Sequence, residues 1–131
     1  LSHWFLDPEA AFINRGMIAE AFVGQELLCY APPSRQNHLY FWKRAKKNSS
    51  AEVDFIYDHK GQVIPIEVKS GRKGKLKSLN LFLEEHKKSK YGIRFSTLNY
   101  SIIDQIDSRP LYAVSSLAHE EQRESLRSLS P

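Results

Sequence analysis

Ala51-Glu52-Val53-Asp54-Phe55-Ile56 and Ile64-Pro65-Ile66-Glu67-Val68-Lys69 are the two stretches that decide how this chain folds. In the second, apolar and charged residues alternate with a period of two, so Glu67 and Lys69 point to one face of a strand and Ile64, Ile66 and Val68 to the other. A carboxylate and an ammonium are thereby fixed side by side. If the two strands pair, Asp54 adds a second carboxylate, and two carboxylates with further oxygen ligands suit a hard divalent ion such as Mg²⁺. The connection Asp58-His59-Lys60-Gly61 has the composition of a hairpin turn.

Working outward from this hairpin, the pattern predicts a helix over 14–30, with Asn14 as N-cap and Pro32-Pro33 as its stop. Strands follow at 39–44, 51–58 and 62–69, then a flexible basic loop, Gly71-Arg72-Lys73-Gly74. Leu76, Leu79, Phe82, Leu83 and His86 mark one face of a second helix ending near Ser89. Residues 91–97 read as the fourth strand and 110–117 as a fifth. The Ser- and Glu-rich tail, 118–131, reads as a fraying helix. The fold class is α/β, with the order αβββαβ and a central mixed sheet flanked by helices.

A chain of 131 residues, 41% hydrophobic and 26% charged, can bury one core, so one domain is expected over 1–131 with its core at about 14–117. A single cysteine, Cys29, excludes an internal disulfide, and no signal peptide or membrane-length apolar run is present; a cytoplasmic setting without membrane attachment follows as an expectation. The net charge of +4 is unevenly spread: residues 43–94 hold fourteen Lys/Arg against six Asp/Glu, while each flank carries −2. Lys43, Arg44, Lys46 and Lys47 follow the first strand, and Arg72, Lys73 and Lys75 follow Lys69. Such clusters bind phosphate backbones by releasing condensed counterions. Solvated surface is the competing reading, preferred for Lys87, Lys88 and Lys90 at a helix C-terminus.

Asp54, twelve intervening residues and Glu67-Val68-Lys69 resemble the D…(D/E)xK signature of the PD-(D/E)xK nuclease superfamily, with Val53 in place of the nominal proline. Gly16 to Glu20, Tyr40-Phe41-Trp42, Ala51 to Phe55 and Pro65 to Lys69 are together similar, in kind and order, to the nuclease-like C-terminal domain of unknown function that follows AAA-type ATPase modules in prokaryotes. This resemblance spans residues 14–117. It implies a restriction-endonuclease-like fold, an ATPase module upstream in a longer protein, and hydrolysis of nucleic acid, DNA before RNA, with Mg²⁺ or Mn²⁺ on Asp54, Glu67 and the Val68 carbonyl. Lys69 would orient the attacking water or stabilise charge on the phosphate. The other reading is a catalytically silent module that binds nucleic acid or a partner for the ATPase. No phosphate-binding G-x-x-x-x-G-K-[ST] loop lies within these residues.

Glu20 joins the candidates through its helix position. At 100° per residue it falls between Leu27 and Gly24, in an arc with Val23, Met17, Leu28 and Ala21, whereas Glu26 falls nearly opposite. A carboxylate there is costly unless paired or coordinated, and Lys69 is an available partner. The five histidines show no metal-ligand spacing. Cys29 reads as packed on its helix, and Tyr40, Phe41 and Trp42 as core in preference to a base-stacking surface.

Overall fold

Alternation and turn chemistry build the hairpin as expected. The computed structural model describes residues 8–31, 39–71, 74–117 and 119–120, with 8–14 by backbone alone; Pro32-Pro33, Arg72, Lys73, His3, His38 and the tail at 118 and 121–131 lie outside the described residues. In chain order the elements are α1 (Pro8–Tyr30), β1 (Tyr40–Lys43), β2 (Glu52–His59), β3 (Gln62–Val68), α2 (Lys77–Glu85), β4 (Gly92–Ser96), β5 (Ser101–Ile103) and β6 (Ile106–Pro110), followed by a 3-10 turn at Leu111–Val114. Lys60 and Gly61, at φ 52° and 81°, form the two-residue turn between His59 and Gln62. Positive φ at both central residues matches the right-handed strand twist, and Asp58 Oδ1 accepts the Gly61 N–H at 2.8 Å.

The six strands form one mixed sheet in the order β1-β2-β3-β4-β6-β5. β1 and β2 pair antiparallel, as do β2 and β3, whereas β3 runs parallel to β4, the crossover passing through α2. The sequence order αβββαβ is therefore present.

Two apolar layers close the faces. Ala19, Val23 and Leu27, spaced one turn apart on α1, pack on Ile64, Ile66, Val68, Ile93 and Phe95. On the other face Leu79, Phe82 and Leu83 of α2 pack on Val53 and Ile106. Full burial of one such side chain contributes about 2 kcal/mol. Trp42 joins this second layer, its ring 5.3 Å from that of Phe82 and perpendicular to it.

Several expectations are corrected. The first helix starts at Pro8, so Asn14 lies within it and is not its cap. Residues 110–117 are not a strand: β6 ends at Pro110, the short edge strand β5 precedes it, and Leu111–Val114 turns as a 3-10 helix whose Ala113 and Val114 are buried. The second helix ends at Glu85 rather than near Ser89. Cys29 is exposed, with Gln25 Nε2 3.7 Å from its sulfur. Of the three aromatics assigned to the core, only Trp42 enters it; Tyr40 and Phe41 are 57% and 70% exposed on β1, the edge strand of the sheet.

Candidate active site

Asp54 occupies an irregularity in β2. Tyr40 pairs with Ile56 and Trp42 with Val53, so two steps along β1 face three along β2. One extra residue lies at Asp54-Phe55, a β-bulge. Its effect is visible in the packing: Val53 belongs to the α2 layer and Phe55 to the α1 layer, although uninterrupted alternation would place both on one face. The phase change points Asp54 toward the far end of β3, where the β2–β3 ladder ends at Phe55 and Ile66. There the Val68 N–H donates to Asp54 Oδ2 at 2.7 Å.

Glu67 is only 6% exposed, and its Oε1 accepts the Lys69 ammonium at 2.5 Å. Its second oxygen, Oε2, is buried without a hydrogen-bond partner. Lys69 is held from behind. Loop residue Gly74, at φ 155°, lies so near that a Cβ there would sit 3.0 Å from Lys69 Cδ and 3.3 Å from Cγ and Cε. At this positive φ a side chain would be strained, and its Cβ would push the Lys69 methylenes aside. The Lys69 N–H donates to the Phe95 carbonyl at 2.8 Å, which fixes the strand end.

Glu20 reaches the same place from α1, flanking the Ala19–Val23–Leu27 stripe instead of lying inside it; its residue surface is exposed. Electrostatics tie the four groups together. Burial, then the charge of Asp54, raises the carboxyl of Glu67 above its ordinary value, against the bond and charge of Lys69. Asp54 is raised by burial against the Val68 N–H and the charge of Lys69. Burial and the charges of Asp54 and Glu52 raise Glu20. Glu20, Glu52, Asp54 and Glu67 thus share a neighbourhood with Lys69, an excess of negative charge that favours a bound cation or proton. Among the described residues, however, no three His, Cys, Asp or Glu side chains converge to cage an ion by themselves.

The basic candidates divide. Lys43, Lys46, Lys47 and Lys75 are exposed. Arg44 is instead ion-paired with Glu85 of α2. Sequence reasoning missed a different buried cation, Arg109, because its strand carries no apolar alternation. Its Nε and Nη2 donate to Asp107 Oδ2 at 2.9 and 2.8 Å, and its Nη1 to Ser116 Oγ at 2.9 Å and Glu120 at 3.2 Å. This cluster fastens the segment after β6 to the sheet.

Over residues 15–114 the sequence matches the family described as a domain of unknown function (DUF4143), and the chain belongs to that family. No curated protein and no solved structure matches it. Among the described residues, no helix is long and apolar enough to cross a membrane.

Proposed function

We propose that this domain is a metal-dependent phosphodiesterase acting on nucleic acid, the nuclease-like C-terminal part of an AAA-type ATPase, with Mg²⁺ or Mn²⁺ held by Asp54, Glu67 and the Val68 carbonyl. The observation that carries this reading is Glu67 Oε2, a buried oxygen with no protein partner in a cluster whose carboxylates outnumber its cations. Leaving such an atom unpaired is costly unless a cation or a proton meets it. The donor set fits a small hard ion, which keeps several waters and needs only one or two carboxylates from the protein.

When bound, the ion supplies Lewis-acid polarisation of a phosphate and acidifies a water. The remaining steps belong to the chain. The Val68 N–H orients the Asp54 carboxylate, and Glu67 anchors the Lys69 ammonium at a fixed position beside it. Lys69 stabilises the charge that develops on the phosphate oxygens. Glu20, at the exposed edge of the cluster, orients the water or takes its proton.

Titration of the metal-free protein with Mn²⁺, followed by electron paramagnetic resonance, tests the site. Wild type should bind one ion, and Asp54→Asn or Glu67→Gln should weaken binding at least tenfold. Unchanged affinity in both variants would remove this site from consideration. The second reading, a catalytically silent module that binds nucleic acid or a partner for the ATPase, is favoured by the exposed Lys43, Lys46, Lys47 and Lys75. It predicts salt-sensitive binding that survives Asp54→Asn.

A further inference from the structure

Strand β1 carries two different faces. Trp42 is locked against Phe82 and His86 on the α2 side, and Arg44 is held there by Glu85. Alternation places Leu39, Phe41 and Lys43 on the opposite side, the side of α1. The placement of Leu39 agrees, since it lines with Phe55 and α1 residues Met17, Glu20 and Gly24 an open groove of about 430 Å³. Phe41 lies between the pairs Tyr40–Ile56 and Trp42–Val53, so it sits opposite the Asp54-Phe55 bulge on the neighbouring strand, about 5 Å away along the hydrogen-bonding direction.

An aromatic ring 70% exposed in this position, on the edge strand of the sheet, is not explained by packing. Lys43 follows it on the same side of the strand, across from Glu52 of β2, and Lys46 and Lys47 are exposed in the loop that leaves β1. An aromatic platform flanked by ammonium groups is what unpaired bases and their phosphates require: a π-face for stacking and cations for the backbone. A duplex hides the faces of its bases and would leave Phe41 without a role. Glu20 and Phe55 line the groove, and Phe55 directly follows Asp54 on β2.

We infer that the substrate class is single-stranded nucleic acid, which lies along β1 with a base stacked on Phe41 and a phosphate on Lys43, and with the adjoining nucleotide entering the groove beside Glu20. The inference rests on the phosphodiesterase reading of the Asp54–Glu67 site for its direction, but its test does not need catalysis.

Binding of fluorescently labelled single-stranded DNA and RNA, and of the matching duplexes, is measured by anisotropy in EDTA across a salt series, with the full chain. Single strands should bind more tightly than duplexes. Phe41→Ala should weaken single-strand binding about tenfold, Phe41→Trp should retain it, and Lys43→Ala should lower the salt slope by about one. Equal affinity of wild type and Phe41→Ala for single strands, with the fold intact by circular dichroism, would overturn the inference. So would a sedimentation result in which Phe41→Ala abolishes self-association and leaves single-strand binding unchanged, for β1 would then be an interface between copies. Phe41-dependent binding by a protein that cleaves nothing would count against the phosphodiesterase reading alone, whereas cleavage indifferent to Phe41 would count against the platform alone.

Discussion

The backbone N–H of Val68 donates to Asp54 Oδ2 at 2.7 Å just beyond the point where β2 and β3 cease to pair. A side chain thus replaces a strand partner, and the bond that aims the carboxylate also terminates the ladder. Asparagine preserves the acceptor and alanine does not. Asp54→Asn should therefore fold with near-wild-type stability, while Asp54→Ala leaves the Val68 N–H unmatched and should lose about 1–3 kcal/mol in urea denaturation. Both should lose divalent-ion affinity.

Glu67 makes stability depend on pH in an unusual direction. Burial and the charge of Asp54 raise its folded-state carboxyl above the unfolded value, so the folded chain holds this proton more tightly. Stability of the metal-free protein should fall as pH rises from the ordinary carboxylate range through the raised value, and stay low above it. Glu67→Gln keeps an acceptor for Lys69 and removes the charge. It should raise the melting temperature at neutral pH in EDTA by a few degrees and flatten that slope, as scanning calorimetry at several pH values would show. A lower melting temperature across the range would contradict the assignment of Glu67 as the strained carboxylate.

Gly74 places the Lys69 side chain by lying within van der Waals reach of its methylenes. Gly74→Ala should displace the ammonium from Glu67, lowering turnover about a hundredfold while leaving Mn²⁺ affinity unchanged. Combining it with Lys69→Ala should cost no more than Lys69→Ala alone, the non-additivity expected of two residues acting through one group. Additive losses would place Gly74 in a separate role.

Arg109 is a matter of stability alone. Removing the buried guanidinium leaves the largely buried Asp107 carboxylate without its cation, and Arg109→Ala should cost about 3–5 kcal/mol in chemical denaturation. Amide hydrogen exchange should show the segment after β6 opening first.

What was legible in the sequence had a strong local cause. The β2–β3 hairpin announces itself through period-two alternation and Lys60-Gly61, and α2 through the spacing of Leu79, Phe82 and Leu83. β6 was invisible because Ile106-Asp107-Ser108-Arg109-Pro110 reads as a polar loop; its buried Ser108 and Arg109 lie in the sheet, Arg109 through partners distant in sequence. The apolar run Leu111–Val114 then looked like the missing strand, since a short apolar segment does not distinguish a strand from a buried turn of helix. Asp54, Glu67 and Lys69 were singled out by their spacing, but the bulge that aims Asp54 has no glycine to signal it. Phe41 was misplaced because composition does not reveal which strand ends the sheet.

The central claim is tested most directly by incubating labelled single- and double-stranded DNA and RNA with wild type and Lys69→Ala in Mn²⁺, in Mg²⁺ and in EDTA. The account predicts cleavage of single strands by wild type, only with metal, and a loss of at least a hundredfold in Lys69→Ala. Equal cleavage by Lys69→Ala, or no cleavage of any substrate by a folded wild-type chain that binds Mn²⁺, would contradict it.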